Sequence, residues 1–142
     1  MINIIGLGYI GLPTSLMMAS HGVKVVGTDY NKELVDTLNA GKTTFYGIAY
    51  KENVDDYRES PTLQLLEVQE TCLANPLKCY DPFITKNVVK NQYHNLDDFL
   101  EDIDLIVIMV KHDEIVNNWN KIENKIILDC HNICPLKGTY HL

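Results

Sequence analysis

A chain of 142 residues with 46% hydrophobic and 22% charged residues is long enough to bury a core and has the composition of one globular domain. Its formal net charge of −7 argues against a nucleic-acid backbone or an anionic membrane surface as the main partner, while leaving room for a local cationic pocket. Cys72, Cys79, Cys130 and Cys134 show no C-x-x-C spacing, which removes the usual zinc-knuckle and dithiol redox motifs.

Residues 1–20 carry no charged side chain, but no Lys or Arg precedes Lys24, as a signal peptide would require. Gly6, Gly8, Gly11 and Pro13 also break any membrane-spanning helix of roughly 20 residues, so a cytoplasmic protein is expected. Residues 2–6 read as a short buried strand running into Gly6-Leu7-Gly8-Tyr9-Ile10-Gly11, a G-x-G-x-x-G fingerprint. In such a turn the first glycine permits the tight bend, the second admits a pyrophosphate, and the third lets the helix pack on the strand. Pro13 suits the first turn of that helix and Gly22 its C-terminal cap. Residues 24–29 form the second strand, ending in Asp29, placed where an acid hydrogen-bonds an adenosine ribose. Gly6, Gly8, Tyr9, Ile10, Gly11 and Asp29 are therefore candidate cofactor residues, and an acid at the strand end favours NAD over NADP.

Asn31 caps a second helix bearing Leu34, Val35 and Leu38, which Gly41 ends. Residues 43–50 follow as an apolar strand ending at Tyr50-Lys51, then a polar loop with Arg58, then Ser60-Pro61 opening a helix to about Leu73. A strand end, a cationic loop and a helix N-terminus make an anion site. Asn75-Pro76 stops that helix, and residues 77–80 give a short strand stopped by Asp81-Pro82. A short edge strand is expected near Tyr93, and Asn95 with Asp97 and Asp98 starts a short helix. Residues 105–110 are six consecutive apolar residues, as in a strand covered on both faces. His112-Asp113-Glu114 opens a helix bearing Ile115, Val116 and Trp119, and residues 125–129 are the last expected strand. The tail from Pro135 carries no signal. Cys130 and Cys134 beside His131 have metal-ligand character, but packed, reduced thiols account for them better.

Strands alternating with helices predict a Rossmann-like α/β fold, a three-layer parallel sheet of five to six strands with helices on both faces. Two arrangements remain open. One is a single sheet of order 3-2-1-4-5-6, which restores a dinucleotide crevice. In the other, residues 43–49 are central and the first 41 residues add at an edge or swap between chains, the arrangement favoured by the small Gly47 and Ala49 within an apolar run.

The motif Ala49-Tyr50-Lys51-x-Asn53-x-Asp55-Asp56-x-Arg58-Glu59-Ser60-Pro61 resembles the opening of the UDP-binding domain of the UDP-glucose/GDP-mannose dehydrogenase family. Tyr80-Asp81-Pro82, Lys111-His112-Asp113-Glu114 and Leu128-Asp129 continue the resemblance, and residues 1–41 are similar to the start of the family's NAD-binding domain. The likeness is to the UDP-N-acetylmannosamine dehydrogenase branch, whose members oxidise a sugar C6 alcohol to a carboxylate in two NAD-dependent steps for bacterial polysaccharide synthesis. The resemblance implies a βαβ segment over 1–41 and a UDP-binding unit over 42–142, packed as one body. It implies contact of Tyr50 and Lys51 with a UDP-sugar, and of Arg58 with substrate or cofactor phosphates. His131 stands where the family usually has Arg, a pH-dependent substitute for a planar guanidinium. The family's middle, with its dimer helix and its catalytic cysteine in a G-G-x-C-x-P setting, has no counterpart, so no catalytic residue is assigned. The expectation is an internally deleted UDP- and NAD-binding module without turnover alone. The alternatives are an oxidoreductase on a UDP-N-acetylhexosamine working with a partner chain, and a regulatory or structural partner of a full-length dehydrogenase, with a homodimer of the chain itself also open.

Overall fold

The computed structural model describes residues 1–7, 10–20, 22–40, 43–70 and 78–141. Its strands are β1 Ile2–Ile5, β2 Val25–Thr28, β3 Thr43–Tyr46, β4 Lys78–Tyr80, β5 Gln92–Tyr93, β6 Leu105–Ile108, β7 Ile126–Asp129 and β8 Tyr140–His141. Its α-helices are α1 Gly11–Ser20, α2 Lys32–Asn39, α3 Pro61–Glu70, α4 Leu96–Glu101 and α5 Asp113–Val116, the last followed by a 3-10 turn at Trp119–Lys121.

The main sheet has six strands in the order β5-β4-β3-β6-β7-β8, and every neighbouring pair is parallel. The expected three-layer α/β architecture is what the chain adopts, and the period-2 alternation of strand side chains builds it. Phe45, Cys79, Leu105, Val107 and Leu128 face one way, packing with Leu34 of α2 and Leu66 of α3. Tyr46, Tyr80, Ile106, Ile108 and Ile127 face the other way, packing with Leu96, Phe99 and Leu100 of α4 and Ile115 of α5. All four residues of β6 are buried, as the continuous apolar run requires.

Caps fix the helix starts. Asn31 Oδ1 accepts the Leu34 N–H at 3.2 Å, Ser60 Oγ accepts that of Leu63 at 3.2 Å, and Asn95 Oδ1 accepts those of Asp97 and Asp98. After α1, the Val23 N–H reaches Met18 O at 3.1 Å with Gly22 at φ +77°, a glycine-closed helix end.

β1 and β2 form a separate two-stranded parallel sheet, and outside the main sheet β1 is not buried as expected but leaves Ile2 and Ile5 exposed. The single 3-2-1-4-5-6 sheet is thereby overturned, because both edges of β3 are taken by β4 and β6. Residues 43–46 are central as the other arrangement requires, but the first 41 residues do not extend an edge of the main sheet. Leu7, Leu12 and Leu34 instead join Phe45 and Leu105 in the cluster on one of its faces. The tail supplies β8, whose two-residue pairing with β7 is too short to leave a periodic signal. The helix from His112 ends at Val116, before Trp119. Among the described residues, no helix is long and apolar enough to cross a membrane. The expected features at Gly41, Cys72, Leu73, Asn75-Pro76 and Leu77 lie outside the described residues.

Candidate functional site: the sheet crossover and its loops

From β3 the chain builds the sheet outward through β4 and β5, then returns to lay β6 on the other side of β3. The β3/β6 boundary is therefore a topological switch point, and in open α/β sheets ligands bind outside the carboxyl ends of the strands at such a point. Two loops meet there, residues 47–60 after β3 and residues 109–112 after β6. Gly47 sits at φ +96°, and a Cβ placed on it would stand 2.6 Å from Val110 Cβ and 2.8 Å from Val110 N. Only glycine allows both that bend and that approach. Thr62 Oγ1 donates to Gly47 O at 2.8 Å, which ties the start of α3 to the same turn.

Asp81, just past β4, is the hub behind the loops, with a fully buried side chain. Its Oδ2 accepts the N–H groups of Ile48 at 2.6 Å and Ala49 at 2.8 Å, and its Oδ1 accepts those of Phe83 at 2.8 Å and Ile84 at 3.2 Å. His112 Nε2 lies 3.1 Å from Oδ2, and His112 Nδ1 accepts the Asn53 N–H at 2.9 Å. Burial alone would raise the Asp81 pKa, but the bonds from His112 and the Ala49 and Phe83 N–H groups hold it below the ordinary carboxylate value. In the sequence Asp81 reads as a strand stop and His112 as a helix start, and Asn53 only as part of a resemblance. The polar residue directly after β4, Asp81, was the available signal.

The predicted substrate residues stand in front of this hub. Tyr50 is 56% exposed, and its N–H donates to Asp56 O at 2.7 Å, closing the loop. Lys51 is exposed and, with Arg58, lies close enough to Asp56 to lower its pKa, which Arg58's hydrogen bonds bring down to about 2. The structure thus gathers Tyr50, Lys51 and Arg58 on one loop. The N-terminus of α3 is less open than its position implied, because Ser60 Oγ already holds the Leu63 N–H and Pro61 has none. His131 lies on the loop after β7, where its Nε2–H donates to Met109 O at 2.9 Å. That bond ties the ring to the loop after β6.

The fingerprint residues form a second cluster, of which Gly8 and Tyr9 lie outside the described residues. A Cβ on Gly11 would fall 1.5 Å from Gly6 O, so helix α1 sits directly on the turn. Asp29 Oδ2 accepts the Leu7 N–H at 2.5 Å and Oδ1 the Asn31 N–H at 2.7 Å, bonds that lower its pKa. Ile10 is 69% exposed beside them. These residues fit one half of a dinucleotide cradle, a glycine turn facing an ionised acid. Beyond β1 the other half is open: among the described residues β1 pairs only with β2, and Ile5 is 83% exposed. Arg58 has its hydrogen bonds with Asp56 and none with the described fingerprint residues.

Neither Cys79 nor Cys130 is a ready nucleophile. Burial pushes the Cys79 thiol up to about 12 and that of Cys130 up to about 11, each helped by a neighbouring aspartate. Cys134 is buried, and among the described residues no group of three His, Cys, Asp or Glu side chains is placed to hold a metal.

Comparison with known proteins agrees with this geometry. Residues 44–135 match the UDP-glucose/GDP-mannose dehydrogenase family, UDP binding domain. The chain is 38% identical over 103 residues to a UDP-N-acetyl-D-mannosamine dehydrogenase of Methanocaldococcus jannaschii, a match covering 66% of this chain and 23% of the relative. It is 56% identical over 41 residues to the Campylobacter jejuni enzyme of the same name, covering 29% of this chain and 10% of that one. Among solved structures it resembles a UDP-D-ManNAc dehydrogenase from Pyrococcus horikoshii, with a TM-score of 0.56, 29% identity, and coverage of 76% of this chain and 28% of the other. The matched stretch thus spans about a quarter of the archaeal relatives' length. The chain belongs to the UDP-glucose/GDP-mannose dehydrogenase family, by way of that family's UDP binding domain.

Proposed function

We propose that the protein binds the UDP part of a nucleotide sugar at the β3/β6 crossover and does not turn it over alone. The observation that carries this reading is the meeting of the 47–60 and 109–112 loops at the switch point, with Tyr50 and Lys51 presented in front of it. An exposed aromatic ring offers a packing surface, and the ammonium of Lys51 offers a point charge for a diphosphate. Arg58 adds a second cation once a phosphate competes with Asp56 for it. The chemistry of a sugar C6 oxidation needs an activated thiolate, and the raised thiols of Cys79 and Cys130 do not supply one. The setting for such a module is polysaccharide synthesis, as the resemblance implied.

A second reading has its own observation. The open edge of β1 and the exposed Ile5 favour a partner chain that adds the next wall of the NAD cradle, making an oxidoreductase on a UDP-N-acetylhexosamine. NAD binding by the lone chain is then weak.

Isothermal titration with UDP and with NAD, separately, tests both. The first reading expects UDP binding that Lys51→Ala weakens by tenfold or more, with NAD binding weak or absent. NAD binding as tight as that of UDP would mean that the half-cradle suffices alone. No heat with UDP would sink the binding-module reading.

A further inference from the structure

His112 is fully buried, yet both of its ring nitrogens are bonded. Because Nδ1 accepts the Asn53 N–H, the ring proton sits on Nε2 and is donated to Asp81. Asn53 stands at φ +56°, a left-handed conformation uncommon outside glycine, and its Oδ1 accepts the Asp113 N–H at 3.0 Å. The Phe83 ring at 5.1 Å and the Tyr46 ring at 5.9 Å wall the imidazole in. The same Asp81 oxygen that receives Nε2 holds the N–H groups of Ile48 and Ala49, immediately before Tyr50. The turn carrying Tyr50 and Lys51 is thus gripped at both ends, by Asp81 at Ile48 and Ala49 and by His112 at Asn53.

We propose that His112 is a positioning residue for the ligand loop: its Nδ1 holds Asn53 in the left-handed conformation, and that hold sets where Lys51 presents its charge. The inference rests on the reading of Lys51 as a ligand for UDP. A histidine suits the task because its two nitrogens act oppositely at fixed separation, one accepting from the loop after β3 and the other donating to the carboxylate after β4. His112 touches no ligand in this scheme. It acts through the loop.

The two nitrogens can be separated by substitution. In His112→Asn the side-chain oxygen occupies the Nδ1 position and still accepts from Asn53, while the bond to Asp81 is lost. In His112→Gln the terminal amide occupies the Nε2 position and still donates to Asp81, while the Asn53 N–H loses its acceptor. Amide exchange by nuclear magnetic resonance and titration with UDP should then part company with overall stability. The expected result is exchange of the Asn53 amide about tenfold faster in His112→Gln than in His112→Asn, with UDP affinity lowered in the same order. Equal exchange in the two variants, or UDP affinity that follows their melting temperatures instead, would overturn the proposal. Should either variant fail to fold, the wild type decides it. UDP should shift the Asn53 amide and the His112 Nδ1 resonance along one saturation curve, and resonances that stay fixed at saturation refute the inference. If the wild type takes up no UDP, the binding reading falls, and the exchange contrast still decides whether His112 holds the loop.

Discussion

Arg58 and Asp56 grip each other at two points on the rim of the loop, Nε to Oδ1 at 2.9 Å and Nη2 to Oδ2 at 2.8 Å. The Arg58 N–H adds a third bond to Oδ1 at 3.1 Å. The arginine side chain is 84% exposed, so the pair is screened by water and contributes little to stability. Its consequence is for charge: the cation best shaped for a phosphate is held by a carboxylate two residues away.

Asp56→Asn should therefore strengthen binding of UDP only modestly, by about threefold at low salt, since an exposed pair of this kind is weak. The gain should shrink as salt is added. Titration of the variant at two salt concentrations checks this, and unchanged or weaker binding would mean that Asp56 shapes the loop more than it masks Arg58.

Gly47→Ala should destabilise the protein by roughly 3 kcal/mol, combining a left-handed backbone with a Cβ driven into Val110. Val110 Cβ and its backbone both stand in the way, so a change of rotamer gives no relief. Urea unfolding measures the loss. A variant as stable as the parent would show that the two loops can separate freely at the crossover.

Asp81 links the loop to pH. Its folded pKa lies below the unfolded value of about 3.9, so the stability it contributes is fully present above that value and is lost as pH falls through the folded pKa. Asp81→Asn puts an amide where at least four backbone N–H groups and His112 donate, at a cost of about 3 kcal/mol near neutrality. Below pH 4 the parent should lose part of its advantage over the variant. Urea midpoints from pH 7 down to pH 3 would show the two curves converging, and parallel curves would remove Asp81 from the acid transition.

Most of the sheet could be read because its strands obey one rule. Residues 105–108 are apolar without interruption, so they had to be covered on both faces, and they are. The caps at Asn31 and Asn95 were equally legible, because a short polar side chain before a helical run has a local purpose. What local pattern cannot carry is which edges of a strand are already taken. The fingerprint, helix and second strand looked the same whether β1 joined the main sheet or stood apart. The site divided likewise: Lys51 and Arg58 announced themselves as cations on a loop, whereas the role of Asp81 emerges only when the N–H groups of Ile48 and Ala49 arrive from more than thirty residues upstream. His131, a residue placed by analogy, is bonded to Met109 O on the loop after β6.

The N-terminal unit offers a test of its own. Asp29 joins the fingerprint turn to the end of β2 through the Leu7 N–H, and joins β2 to α2 through the Asn31 N–H. Both bonds favour the ionised carboxylate and keep its pKa below the ordinary value, leaving the acid charged at any pH where a ribose hydroxyl would seek an acceptor. Asp29→Asn retains one oxygen acceptor and turns an amide donor towards one of the two N–H groups. The expected outcome is local. The Leu7 or Asn31 amide should exchange several-fold faster, while amides bound to Asp81 keep their protection, since the two carboxylates belong to different sheets. Any NAD affinity of the parent should fall with it, and UDP affinity should not. Loss of UDP binding in this variant would mean that the two-stranded unit and the β3/β6 crossover act as one site, with the fingerprint turn forming a wall of the UDP crevice.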